Sequence, residues 1–428
     1  MPPDGHVAPW ALPTAAIIRA MQARETAARL ESFEGRGAGT DAERRAAGWL
    51  AKELSDSRHE VVVETFWCRP SWALAHAWHV GLAVAGSLVS VASPIAGGSM
   101  LLVALVSLLA DVITGVSPGR RLSPERASQN VIVVPSDATV RSTPRVRLIL
   151  TANYDAGRGG LAYRDPIRGT SALLGRGVRG LTPGWLGWLS IALLWLIAVA
   201  IVRLEGHHSQ AIGAVQLPPT VGLVLGFALL LELAMADWSL AAGDNGTGVA
   251  VAISVARALD ATPPHHLDVE LVLSGAGDRD EIGLHRYLRA RRRERSAANT
   301  VVLGVAACGG GSPRWWCSDG ALVPLRYTRT LRQLAADIAA DEPHLGATPH
   351  KGRGTTPALP ARNRRLPAIT IGCLDSRGLA PRSHQQTDVA AAIDGASVDR
   401  AIQFGLLLID AIDTTVAEGQ GHASPAAA

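Results

Sequence analysis

Gly243-Asp244-Asn245-Gly246-Thr247-Gly248-Val249 sets a carboxylate at a glycine-containing turn, directly before an apolar stretch with helical character as far as Leu259. Glycine lets backbone approach other groups closely, as a side chain presented at a crowded site requires. Two later segments complete the pattern. Asp280-Glu281-Ile282-Gly283-Leu284 follows the β-branched run Leu267–Leu273 after a short loop, and Ser383-His384-Gln385-Gln386-Thr387-Asp388 lies in a late loop. In open α/β sheets functional groups gather beyond the carboxyl ends of the strands. Asp244, Glu281 and His384 offer two carboxylates and an imidazole, the oxygen-and-nitrogen set of a hydrolytic zinc site. Asp280, adjacent to Glu281, is the expected catalytic base that takes a proton from bound water. Each segment alone has a plain alternative: a turn, a surface acid pair, a loop histidine. Their order and settings together carry the reading.

Working outward, Thr40-Asp41-Ala42-Glu43 is a capping box that opens a helix to about Leu54. Glu60–Thr65, Asn130–Val134, Val146–Thr151, Thr300–Val305 and Ala368–Ile371 are short β-branched runs that predict strands. Gly246–Leu259, Gly283–Arg293 and Val398–Ile412 predict helices. Strands alternating with helices imply an α/β fold with a mixed β-sheet sandwiched by helices. Gly309–Pro313 and Gly352–Pro360 are expected loops.

Two apolar blocks interrupt this pattern, Trp72–Gly115 and Gly184–Trp238. Each splits at a turn-forming stretch, giving Ala73–Ala92 with Ser99–Gly115, and Trp185–Val202 with Thr220–Ala236. At 1.5 Å per residue these segments are about long enough to cross a bilayer. Trp72, Trp78, Trp185, Trp188 and Trp238 fall near segment ends, where amphipathic rings favour the interface. The expectation is two inserted transmembrane helical hairpins, in which Asp111 and Glu232 need an inward or interfacial position. Arg69, Arg120, Arg121, Arg126, Arg164, Arg168, Arg176 and Arg179 flank the inner ends, against Arg203 at the tips. Positive-inside bias then places the tips outside and the main domain in the cytoplasm of a bacterial inner or plasma membrane, with membrane lipid as a partner.

The implied division is 1–71, 118–183 and 239–416 for one domain, 72–117 and 184–238 for the hairpins, and 417–428 for a disordered tail. Of 428 residues, 48% are hydrophobic and only 18% charged, and the net charge of +4 rests on arginine, Lys52 and Lys351 being the only lysines. The basic run at Arg289, Arg291, Arg292, Arg293 and Arg295 has no aromatic interleaving, so it reads as a helix face and no nucleic-acid partner is expected. Cys68, Cys308, Cys317 and Cys373 have no CxxC spacing, which excludes a zinc knuckle; Cys308 and Cys317 are near enough in sequence to approach one another. The start Met-Pro-Pro-Asp-Gly-His lacks the basic and apolar regions of a cleaved signal peptide.

Taken together, these segments resemble the zinc aminopeptidase family of bacterial leucyl aminopeptidase, glutaminyl cyclase, glutamate carboxypeptidase and transferrin receptor. The markers are Gly39-Thr40 with its capping box, Asn130-Val131-Ile132, Asn153-Tyr154-Asp155 and the three segments around Asp244, Glu281 and His384. The resemblance covers about Glu34–Thr65 and Asn130–Val416 without the second hairpin. It implies a co-catalytic zinc pair with Asp244 bridging both ions, Glu281 and His384 as the other ligands of one ion, and Asp280 in place of the glutamate base. The second ion would lack two ligands, since its histidine is Asn153 and its aspartate position is Ala306. Neutral asparagine is a poor zinc ligand and alanine is none. One zinc ion is therefore expected. The reading is an integral-membrane, zinc-aminopeptidase-like protein, a single-zinc hydrolase of peptide or amide bonds, as glutaminyl cyclases work with one zinc. The alternative is a catalytically inactive scaffold, like transferrin receptor, that binds a protein partner in the membrane.

Overall fold

In the computed structural model, residues 13–55, 59–135, 145–177 and 183–423 are described. Helices α1 (Pro13–Glu31) and α2 (Asp41–Leu54) lead into strand β1 (His59–Cys68). Helices α3 (Trp72–Ala92) and α4 (Pro94–Thr114) form one hairpin, and the one-turn α5 (Pro118–Arg121) returns the chain to β2 (Arg126–Pro135). After β3 (Val146–Asn153) and α6 (Asp165–Gly177), α7 (Trp185–Leu204) and α8 (Gln210–Met235) form the second hairpin. Then come α9 (Gly248–Ala261), β4 (Leu267–Ser274), α10 (Ile282–Ala290), β5 (Thr300–Val305), β6 (Ser312–Asp319), β7 (Leu325–Arg326), α11 (Arg329–Asp341), β8 (Thr348–Lys351), α12 (Leu359–Asn363), β9 (Ala368–Leu374) and α13 (Gly395–Ala423).

The strands form one mixed sheet in the order β1-β2-β4-β3-β5-β9-β6-β7, with β8 paired to β6. Its centre is parallel: β4, β3, β5 and β9 run together, and β2 and β6 flank them antiparallel. Side chains alternate across it as the strand pleat dictates. Leu148, Leu150, Leu271, Leu273 and Leu303 pack with α1, α2, α9 and α13 on one face. Ile149, Val272 and Val302 pack with Leu284, Tyr287 and Leu288 of α10 on the other. The mixed, helix-covered sheet expected from sequence is therefore what the chain forms.

The capping box closes as predicted at one end: Glu43 N–H donates to Thr40 Oγ1 at 3.2 Å. The Glu43 carboxylate, however, reaches back to Gly39 N–H at 2.6 Å, and its other oxygen accepts from Ser128 Oγ and from Ala276 N–H. That one side chain ties α2 to β2 and to the loop after β4.

Helices α3, α4, α7 and α8 make a bundle with its own core, including Val80, Leu101, Leu108, Leu193, Leu196 and Leu223. All four are long and apolar enough to cross a membrane. Outward, Leu102, Val106, Leu194 and Leu225 are more than half exposed, and in α8 only 17% of the most apolar window is buried. The two polar exceptions are placed as required: Asp111 is buried against Arg120, and Glu232 accepts from Leu161 N–H at 3.2 Å.

Several boundaries differ from expectation. The first turn shrinks to Ser93, because Pro94 sits at the start of α4, where its missing N–H leaves no bond unmade. Pro218 and Pro219, taken as the end of the second turn, lie inside α8. The expected loop through Pro313 is in part β6, and Gly352–Pro360 runs into α12. The expected disordered tail is helical in α13 to Ala423, while residues 424–428, the N-terminal Met1–His6 and Arg179 lie outside the described residues. All four cysteines are free, and Cys308 neighbours Cys373.

Candidate metal centre

The three sequence-predicted ligands meet at one cavity of about 400 Å³ at the carboxyl ends of the central strands. Asp244, Glu281 and His384 all line it, with Asn153, Asp278, Ala306, Asp319 and His350. Asp280 does not line it.

Asp244 is delivered by the tight turn Ala242–Thr247 that leads into α9. Asp388 builds this turn: its two carboxylate oxygens accept from Gly243 N–H at 2.8 Å and Asp244 N–H at 2.9 Å. Burial pushes Asp388 up to about 7. The Asp244 carboxylate accepts from Ser383 Oγ. Beside it, the Asn245 amide donates to Asn153 Oδ1 at 3.0 Å and to Val305 O at 3.2 Å. The fully buried Arg36 holds the approach to the turn through Leu240 O and Ala241 O, and also binds Tyr154 O.

Glu281 begins α10 with a left-handed backbone, φ +47°. It is buried, and its Oε2 has no hydrogen-bond partner. Burial, with Asp155, Asp278, Asp319 and Asp280 around it, raises this carboxyl well above the usual range. An ionised buried carboxylate needs a compensating cation, and without one it keeps its proton.

His384 stacks on Tyr163, with ring centroids 4.2 Å apart and planes 12° from parallel. Its Nδ1 faces Arg158 O at 3.0 Å, which fixes that nitrogen as the donor. Its Nε2 lies 3.5 Å from Asp278 Oδ1. A Cβ on Gly157 would stand 2.1 Å from His384 Cε1, so the ring needs a glycine beneath it.

The expected base is aimed elsewhere. Asp280 Oδ2 accepts from Arg120 Nη1 at 2.7 Å, in an ion pair that faces the helical bundle. Left-handed backbones at Arg279 (φ +67°) and Glu281 flank Asp280, and the adjacent acids Asp280 and Glu281 end in different surroundings. Asp278, which sequence reasoning did not single out, lines the cavity. Adjacency drew attention to Asp280-Glu281, and only the turn geometry of Gly277–Glu281 distinguishes the three acids.

Asp155 clamps this loop. Its oxygens accept from Gly277 N–H at 2.7 Å and Asp278 N–H at 3.1 Å. Burial, followed by the Asp278 charge, raises it to about 7. The far wall carries Asp319, buried, with one oxygen accepting from Gly354 N–H and the other unpartnered. His350 is pushed down to about 4 by burial beside Arg314 and Arg353, so it is a neutral imidazole near pH 7.

Among the described residues, no three His, Cys, Asp or Glu side chains stand close enough together to hold an ion as they are. Asp244 and His384 are engaged with Ser383 and Asp278. In kind and location the donors nonetheless fit one zinc: two carboxylates and an imidazole on one cavity, one of them with a buried, unpartnered oxygen. Asn153 and Ala306, the positions read as lost ligands of a second ion, line the same cavity.

Comparison of the fold with solved structures places it in a class. The glutaminyl cyclase of Porphyromonas gingivalis superposes with a TM-score of 0.50 at 14% identity, over 92% of this chain and 98% of that one. A Zn-dependent exopeptidase from Parabacteroides distasonis gives 0.50 at 14% identity, over 91% and 97%. LapB from Legionella pneumophila gives 0.50 at 10% identity, over 92% and 72%. At such identities the likeness defines the fold, an α/β architecture of zinc-aminopeptidase type. Residues 229–408 match the profile of Peptidase family M28. The chain thus carries an M28 peptidase-like domain, and the matched span contains all three ligand segments. A search among curated proteins finds no significant match.

Proposed function

We propose that this chain is a membrane-inserted hydrolase of peptide or amide bonds that works with a single zinc ion held by Asp244, Glu281 and His384. The observation that carries the reading is the gathering of these three side chains on one cavity, with Glu281 Oε2 buried and unpartnered. Bound zinc supplies a Lewis acid that polarises a carbonyl and lowers the pKa of water. The chain's own residues supply the rest. Arg158 O holds Nδ1 of His384 as donor, which turns Nε2 toward the cavity. Asp388 and Arg36 fix the turn that presents Asp244. Asp278 takes the role of proton acceptor, because it lines the cavity within 3.5 Å of His384 whereas the Asp280 carboxylate is committed to Arg120.

The four apolar helices support insertion in a membrane, with lipid around the bundle, and the arginine bias at the inner ends supports a cytoplasmic peptidase-like domain. The test is hydrolysis of aminoacyl, dipeptide and N-terminal glutaminyl reporters by purified, zinc-loaded protein. Turnover that Asp278→Asn removes supports the reading, and zinc-bound protein inert on all three classes overturns it.

A second reading is a peptidase-like scaffold that binds a protein partner. Asn153 and Ala306 at two ligand positions favour it. A cellular phenotype rescued equally by wild type and Asp278→Asn would establish that role.

A further inference from the structure

The loop that joins β4 to α10 carries three non-glycine residues with left-handed backbones within six positions: Ala276 (φ +46°), Arg279 (φ +67°) and Glu281 (φ +47°). Such conformations are uncommon for residues with a Cβ and persist only where the surroundings over-determine them. Two anchors come from the peptidase-like domain. Glu43 accepts from Ala276 N–H at 2.9 Å, and Asp155 accepts from the amides of Gly277 and Asp278.

The remaining anchors come from the bundle and its flanks. The guanidinium of Arg279 lies 5.4 Å from the centroids of both Trp72, the first residue of α3, and Tyr163, whose side chain is part of the bundle core. Asp280 is held by Arg120, and Arg120 is held in turn by the bundle. Its Nε and Nη2 donate to the two oxygens of Asp111 in α4, each at 2.8 Å. Its Nη1 donates to Asp280 at 2.7 Å and to Arg69 O at 3.0 Å. The Arg120 side chain is 9% exposed and that of Asp111 1%. The planar guanidinium matches one carboxylate with two parallel bonds and still reaches a second, a geometry that an ammonium cannot copy.

We infer that Arg120 is a positioning residue through which the four-helix bundle holds the cavity loop in its strained shape. Asp111, Arg120 and Asp280 form one continuous link from inside α4 to a residue flanked by Arg279 and Glu281. The bundle is then part of the site and not only an anchor. The position read from sequence as the base serves as the loop's attachment point. This coupling does not depend on the cavity being hydrolytic.

The test is hydrogen–deuterium exchange of the full chain in lipid nanodiscs, read by mass spectrometry on peptides spanning 275–281. A buried charged hydrogen bond is lost in Arg120→Ala, so exchange of the loop amides is expected to rise about tenfold or more, while β5 and α9 stay unchanged. Asp111→Asn touches no loop residue and is expected to raise it in the same direction, and Arg120→Lys is expected to fall between wild type and Arg120→Ala. If Arg120→Ala does not fold, Asp280→Asn carries the test, since it frees the loop and leaves the Arg120–Asp111 pair in place. Loop exchange within about twofold of wild type in Asp280→Asn, or an increase spread evenly over the sheet, overturns the inference. If wild type binds no zinc but the loop loosens as described, the hydrolase reading fails and the coupling stands.

Discussion

Asp278 and Asp280 have the same side chain two positions apart, yet one lines the cavity and the other pairs with Arg120. Their substitutions should therefore separate. Asp278→Asn is expected to lower turnover by ~10²–10⁴-fold, the range of a lost general base, with zinc content unchanged. Asp280→Asn should lower it less, because the side chain acts only through loop position. Steady-state kinetics with parallel elemental analysis measure both, and equal losses would remove Asp278 from the role of base. The ligand set makes a separate prediction. Asn153 and Ala306 leave no ligand at two positions of a second ion, so purified protein should hold no more than about one zinc per chain. His384→Ala should release it. Two tightly held ions per chain would contradict the single-metal reading.

At the scale of elements, strands were legible wherever a β-branched run met the pleat. β3, β4 and β5 alternate between the two faces of the sheet as their sequences imply. β6 was not legible. Arg314, Trp315, Trp316 and Cys317 follow a glycine-rich turn that reads as loop, and although tryptophan favours strands, the run is short and its place in the sheet is set by pairing with β9 and β8. The three ligand positions could be read because each has its own short motif. Asp278 and Arg120 could not, since their roles depend on left-handed turns and on an ion pair across 160 residues of chain. The basic run is not the expected helix face: α10 ends at Ala290, so of these arginines only Arg289 lies on it, while in the turn beyond it Arg291 pairs with Glu64 and Arg295 with the buried Glu270. One element-level test compares two glycines. Gly157 packs beneath His384, and a Cβ there would come within 2.3 Å of Nδ1, so Gly157→Ala should weaken zinc binding and cost about 1–3 kcal/mol of stability. Gly48, inside α2, has nothing within 4 Å of its built Cβ, and Gly48→Ala should instead stabilise by up to ~1 kcal/mol. Thermal unfolding and zinc titration of the two variants read the contrast, and zinc affinity unchanged in Gly157→Ala would show that His384 is not a ligand.

For the whole molecule, the two hairpins leave the peptidase-like domain at different places in sequence but meet in one bundle beside the cavity loop. Their apolar outer faces make an aqueous setting costly, since Leu102, Val106, Leu194 and Leu225 are each more than half exposed. Orientation rests on arginine, and the structure changes the weight of individual residues. Arg120 answers Asp111 and Asp280 directly, whereas at the opposite end Arg203 is buried against the neutral amide of Gln216 and keeps its charge. Discounting Arg120 still leaves Arg69, Arg121, Arg126, Arg164, Arg168, Arg176 and Arg179 near the inner ends in sequence, against Arg203 alone at the tips. The positive-inside rule counts such residues near span ends, so the bias survives the correction. Cysteines introduced at Gly97 and Ser209 should then react with a membrane-impermeant maleimide in intact cells. A cysteine at the exposed position of Glu53 in α2 should react only after lysis. Cys68, Cys308 and Cys373 are buried and Cys317 partly so, and the parent chain run in parallel gives the native background. Labelling at position 53 in intact cells, with 97 and 209 protected, would reverse the topology and put the cavity and its substrate outside.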